Sequence, residues 1–314
     1  MRTPSPLPPR FRGRAFLTTE AQGHLTPTRM LARDMQRISR GVRAVGLDLG
    51  TVYGRCLGYQ PRMQPGQAFS HITAAQLYRI PLPPFFLQNA PAVHVSVDGE
   101  AHQLRVVGVV GHRLDKLADR VATYRGFTVV NPATAWIQLA PFLAHYDLVA
   151  AADFLVSGRV TDLGREPALA TPEQLYEGVA SAAGARGVRK LRVAFELVRV
   201  GVDSRPETRV RLILVDAGLP EPRVNMPIYS ASGERLGKPD LSYPEQRVVF
   251  EYEGDGHRVD KWQFRHDIFR RERFEAHGWR VIRVTADDVF IDPRAFVCRV
   301  RLVLAQQPHR VGSR

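Results

Sequence analysis

The stretch VVFEYEGDGH, residues 248–257, constrains this chain more than any other. Val248, Val249 and Phe250 lead into Glu251 and Glu253, and a Gly-Asp-Gly turn carries the chain to His257. A short apolar run bounded by a turn predicts a buried strand. Side chains alternate along a strand, so Val249, Glu251 and Glu253 share one face. Acids on a face that begins in the core need a cation, because a buried carboxylate without one tends to shed its charge instead.

The preceding segment supplies a partner strand. If PEQR (244–247) is a four-residue connection, Tyr243 pairs with Val248, Ser242 with Val249 and Leu241 with Phe250. Asp240 then faces Glu251, and like charges directly opposed repel. Three converging carboxylates need protonation or a divalent cation. Hard oxygen donors without cysteine select Mg²⁺ or Mn²⁺. Such an ion generates hydroxide and offsets the charge of a reacting phosphodiester.

Composition agrees with an anionic partner. The 314 residues suffice for two domains, and the formal net charge is +13. Nucleic acid is the partner expected from this balance, although arginine supplies nearly all of it, as a GC-rich genome also dictates. Lys116, Lys190, Lys238 and Lys261 are the only lysines. Cys56 and Cys298 make neither a disulfide framework nor a zinc site, which predicts a cytoplasmic, reducing setting. No apolar run reaches membrane-spanning length, so no membrane partner is expected.

The N-terminal MRTPSPLPPR reads as a flexible tail over residues 1–10. Residues 11–45 read as two short helices and an extended segment: Thr18 or Thr19 caps the first, Gly23 stops it, and Thr26 caps the second with Pro27 at its first position. This is the outline of a helix-turn-helix, and equally of a small helical hairpin. Residues 46–201 alternate between strands (VHVSVD, LRVVGVV) and helices (PATAWIQLAPFL, YDLVAAADFLV). Within them VGLDLGT (45–51) has the look of an ATPase phosphate loop, but no second acidic glycine-rich loop supports it. A second domain is expected over 202–307, before a tail at 308–314, in the order αβββαβα. Its first helix opens on Ser204 and Glu207, spaced as a capping box, and ends at Gly218. A helix in DKWQFRHDIFRRERFEAH ends at Gly278, with Trp262, Ile268, Phe269 and Phe274 as core positions.

KPDLSYPEQRVVFEYEGDGH resembles the PD-(D/E)xK nuclease core. More narrowly, residues 204–304 are similar to the small endonuclease-like domain related to the very-short-patch-repair (Vsr) endonucleases. The resemblance implies Asp240 and Glu251 as ligands of Mg²⁺ or Mn²⁺, Glu207 completing the acidic pocket, and His257 near the scissile phosphate. The lysine usual two residues after the second acid is replaced by Glu253. Lys238, on the face of Asp240, or Lys261, Arg270 or Arg271 from the helix, would supply the missing cation. FLTTEAQGHLTPTRML, SHITAAQLYRIPLP, GVVGHRL and VVNPATAWIQLA are similar to AbiEi-type antitoxins of type IV toxin–antitoxin systems. That resemblance implies a winged helix-turn-helix on operator DNA through Thr26, Thr28 and Arg29, and a nucleotidyltransferase-type toxin as partner.

The expectation is an α/β protein with an N-terminal winged-helix-like module and an α/β middle region. A restriction-endonuclease-like αβββαβ domain with a mixed central sheet follows. Two functions fit: a DNA-binding protein with a Mg²⁺-dependent endonuclease domain, or a transcriptional regulator or antitoxin retaining a degenerate nuclease fold.

Overall fold

The structure, a computed structural model, describes residues 4–88, 92–101, 104–253 and 261–307, with 261–268 described in backbone only. The chain divides into two compact units, residues 1–142 with 177–188, and residues 143–176 with 189–314. The architecture is mixed α/β with mixed sheets. Among the described residues no helix is long and apolar enough to cross a membrane.

The first unit begins with β1 (Phe16–Leu17), α1 (Pro27–Met30), β2 (Met35–Ser39) and β3 (Val42–Val45), the strands pairing in the order β1-β3-β2. Leu7, expected in a flexible tail, is buried in a cluster with Phe11 and Phe16. Of the two expected helices, the first is irregular turns between Leu17 and Leu25. The second is α1, capped as expected by Thr26, whose hydroxyl accepts the Arg29 amide at 3.2 Å. The extended segment is the β2–β3 hairpin.

The chain continues through α2 (Val52–Tyr59), β4 (Gln67–Phe69), α3 (His71–Leu77), α4 (Pro84–Gln88), β5 (Val93–Asp98), β6 (Val109–Leu114), β7 (Val121–Tyr124), β8 (Phe127–Val130) and α5 (Pro132–Leu139). The five strands form one mixed sheet, β6-β5-β4-β8-β7. The strand expected in LRVVGVV lies later, as β6, because residues 107–108 form a turn whose Gly108 has φ +79°. VGLDLGT closes on itself: Asp48 accepts the Gly50 amide, and Thr51 caps α2 by accepting the Gly54 amide. A Cβ on Gly54 would lie 1.8 Å from the Asp48 carbonyl oxygen, so glycine is required there for close approach.

The second unit holds α6 (His145–Ser157), a β9 (Val160–Thr161) and β10 (Gly164–Arg165) hairpin, part of α7 (Pro172–Ser181), and α8 (Val188–Glu196) from Arg189 onward. It continues with α9 (Arg205–Asp216), β11 (Arg223–Val224), β12 (Ile228–Tyr229), β13 (Arg235–Gly237), β14 (Leu241–Tyr243), β15 (Val248–Tyr252), α10 (Lys261–Ala276), β16 (Arg280–Val284), α11 (Ala286–Phe290) and α12 (Pro293–Gln306). The unit begins well before residue 202 because α6 belongs to its core. Asp153 of α6 accepts from Thr208 at 2.8 Å and from the fully buried Arg211 at 3.0 Å, both on α9.

The central sheet is β11-β14-β15-β16, antiparallel except for the parallel pair β15–β16. The expected hairpin register is observed: Leu241 pairs with Phe250, Ser242 with Val249 and Tyr243 with Val248. PEQR is the four-residue connection, with Arg247 in the left-handed region at φ 51°. One sheet face packs Val248, Phe250, Ile282 and Val284 against α9 and α12. The other packs Val249 and Val281 with Phe274 of α10, and Trp279 lies edge-on to Phe274. Phe269, expected in the core, is instead 63% exposed. The segment expected to be a turn, SGERLG, contributes β13, which pairs with β12 as a second small hairpin.

Candidate active site

Glu207 of α9 and Asp240, just before β14, come close enough to interact. Ser204 opens α9 by accepting the Glu207 amide at 3.3 Å, which fixes Glu207 on the first turn. Only half of the expected capping box forms. The Glu207 carboxylate accepts from the Asp203 amide at 3.0 Å and from Asn225 Nδ2 at 2.6 Å, not from the Ser204 amide. Asp240 precedes β14. Its carbonyl accepts the Asn225 amide, and its Oδ2 accepts the Tyr252 amide at 2.7 Å.

Burial dominates the electrostatics. Glu207 is 5% exposed, and burial together with the nearby Asp240 charge pushes its pKa up to about 7. Burial likewise raises Asp240, and Asp203 adds to the rise, against the Tyr252 amide, Arg270 and Lys238. Burial and mutual repulsion therefore favour a proton held on the pair.

The cation that meets Glu251 is Arg270, reaching from α10 at 2.6 Å. Lys238 goes to Asp203 at 2.7 Å, and Arg165 bonds the other oxygen of that carboxylate. Glu253 pairs with Arg283 on β16 and lies 3.5 Å from Arg271. The expected convergence of Asp240, Glu251 and Glu253 is therefore not made. Among the described residues, no three carboxylates bring ligand oxygens within 4.8 Å of one another. Two guanidiniums draw Glu253 aside. Asp240, just before β14, and Glu251, on β15, are hard oxygen donors by type, and Glu251 is already paired with Arg270.

His257 and the side chain of Lys261 lie outside the described residues. On the nearby surface, Arg235, Lys238, Phe269, Arg270 and Arg273 line a groove of about 610 Å³. At the N-terminal candidate interface, Thr26 and Thr28 are exposed. Arg29 is a correction to the expected DNA contacts: it is buried, with its guanidinium held by both Asp34 oxygens at 2.8 and 2.9 Å. A bidentate pair of this kind commits its donors internally.

Sequence reasoning missed Asp203, Asn225 and Arg283. Asp203 was legible as the residue before a helix cap. Arg283 becomes legible only from the parallel register, in which it stands beside Glu251.

The uncharacterized proteins MT2308 and Rv2248, from two strains of Mycobacterium tuberculosis, are each 27% identical to the chain over 233 residues, covering 73% of it and 78% of their own length. No family model matches the chain. No solved structure matches it.

Proposed function

We propose that this is a DNA-binding protein whose C-terminal unit hydrolyses DNA phosphodiesters with Mg²⁺ or Mn²⁺. The observation that carries the reading is the placing of two carboxylates, buried Glu207 and half-buried Asp240, close enough to repel, with the Asp240 carboxylate held by the Tyr252 amide one residue beyond Glu251. The order α9, β11 to β15, α10, β16 supports a restriction-endonuclease-like core, as the PD-(D/E)xK resemblance implies. Asp240 and Glu251 would hold the ion, which when bound activates water and offsets charge on the phosphate.

The remaining roles fall to the chain's own side chains. Tyr252 aims the Asp240 carboxylate by donating its amide to Oδ2. Glu207, held through Oε2 by Asp203 and Asn225, has a pKa near neutrality and can exchange a proton there. Arg270, paired with Glu251 at 2.6 Å, would supply the positive charge that the absent lysine gives in the resembled nucleases. The groove beside it, with Arg235, Arg273 and the exposed Phe269, suits a nucleic-acid backbone and one stacked base.

A second reading has its own support. The pairs Glu251–Arg270 and Glu253–Arg283 neutralise acids without any metal. This favours a regulator or AbiEi-type antitoxin that keeps a degenerate nuclease fold, with exposed Thr26 and Thr28 toward operator DNA and a nucleotidyltransferase-type toxin as partner. Plasmid and short duplexes incubated with the protein in Mg²⁺ or Mn²⁺, beside Asp240→Ala and Glu251→Ala, separate the two. Metal-dependent nicking lost in both variants supports the nuclease. Nicking that persists in the variants, or operator binding with no cleavage in either metal, overturns it.

A further inference from the structure

The first unit holds a second cluster that the nuclease reading leaves unused. His71 opens α3, while His94 and His112 stand on the adjacent parallel strands β5 and β6. In that register His94 pairs with Val110 and Ser96 with His112, so both histidines project from the same sheet face. His94 Nδ1 lies 3.0 Å from His112 Nε2, and the His71 ring stacks on His112 with centroids 3.6 Å apart. One nitrogen from each of the three rings falls within 4.8 Å of the others. Phe142 stands edge-on to His71 and His94, walling one side.

The local backbone supports an arrangement built for these rings. His71 adopts φ 51°, a conformation that costs a non-glycine residue energy and is kept where the surroundings impose it. Its amide is held by Gln138 Oε1 at 3.0 Å, and its Nδ1 lies 3.0 Å from Ser70 Oγ. A bond at one ring nitrogen orients the other outward, as in the outer shell of metal-bound histidines. Among the described residues, no carboxylate bonds any of the three rings, so no anion is present to favour imidazolium. Burial lowers all three ring pKa values, and the neighbouring rings lower those of His71 and His94 further.

We propose that His71, His94 and His112 form a three-histidine site for a zinc-class divalent ion, separate in chemistry from the acid cluster of the second unit. An all-imidazole set selects Zn²⁺, and Co²⁺, Ni²⁺ or Cu²⁺ as substitutes, over Mg²⁺. Tetrahedral zinc with bonds of about 2.0–2.1 Å needs nitrogens about 3.4 Å apart, so the widest pair closes by up to about 1.5 Å while His94 Nδ1 and His112 Nε2, at 3.0 Å, give up their mutual hydrogen bond and part slightly. Rotation about the side-chain bonds supplies that movement, and it must also turn His71 and His112 out of their stack, because a ring nitrogen binds along its own plane. Three neutral ligands leave the ion's double charge in place and a fourth position open to water or an anion, the pattern of reactive rather than structural zinc.

The test uses the full, tag-free chain stripped with EDTA. Titration with Co²⁺ is expected to produce visible absorption of a four-coordinate ion, saturating at one per chain and abolished by one equivalent of Zn²⁺. His94→Ala and His112→Ala are expected to weaken Zn²⁺ binding at least 100-fold, while Asp240→Ala leaves it unchanged. Absence of Zn²⁺ binding, equal binding in both histidine variants, or loss in Asp240→Ala overturns the proposal. If either histidine variant fails to fold, the wild-type chain still decides. Zn²⁺ must protect His71, His94 and His112 from diethyl pyrocarbonate in a mass-spectrometric map, and equal modification with and without Zn²⁺ overturns the site.

Discussion

Replacing Glu207 by glutamine isolates the electrostatic core of the proposed active site. The carboxyl has a folded-state pKa near 7 against an ordinary 4.5, a displacement worth about 3 kcal/mol. Because the folded value is raised, the folded chain binds more protons between pH 4.5 and 7, and stability falls as pH rises through that window. Below pH 4.5 the group is neutral in both states and imposes no penalty; above pH 7 the full penalty remains. Glutamine keeps a carbonyl oxygen for Asp203 and Asn225 while removing the charge. In EDTA, Glu207→Gln is expected to be about as stable as wild type at pH 4 and about 3 kcal/mol more stable at pH 8. With a urea slope of about 2 kcal/mol per molar, that moves the unfolding midpoint up by about 1.5 M at pH 8. A midpoint at pH 8 that is unchanged or lower than wild type refutes the reasoning.

Three other substitutions test the scaffold by denaturant unfolding. Arg211→Ala strips the buried partner of Asp153, Glu221 and the Leu197 carbonyl, and is expected to cost about 3–5 kcal/mol. Gly54→Ala places a methyl against the Asp48 carbonyl and is expected to cost about 1–3 kcal/mol. The exposed pair Arg223–Glu245 serves as a contrast, since Glu245→Ala is expected to change stability by less than about 1 kcal/mol.

The part of the fold written most clearly in the sequence is the hairpin around PEQR, because a short connection and strict alternation leave few registers open. Gly218 and Gly278 likewise mark the ends of α9 and α10, with φ of +77° and +76°. The β12–β13 hairpin was not legible, because strands of two and three residues with an irregular register carry too little periodicity. The start of the second unit was hidden for another reason. Asp153 and Arg211 are separated by 58 residues, and nothing local signals that they pair.

In the candidate site the sequence pointed to Glu207, Asp240, Glu251 and Arg270, but the convergence it implied with Glu253 fails where the site depends on tertiary register. Arg283 meets Glu253 through the parallel β15–β16 pairing, which no hairpin loop encodes. Arg29 misled because a surface-looking Thr-Arg helix start conceals an inward turn toward Asp34. The three histidines escaped notice because sheet order, not spacing, assembles them.

The measurement that bears most directly on the central claim is Mn²⁺ binding by the full chain at pH 8, read from the electron paramagnetic resonance signal of free Mn²⁺. One ion per chain, displaced by Mg²⁺, retained in His94→Ala and weakened at least 100-fold in Asp240→Ala, is the predicted result. Failure of the wild-type chain to bind Mn²⁺, or equal binding by Asp240→Ala, contradicts the account and leaves Arg270 as the cation for which Glu251 is placed.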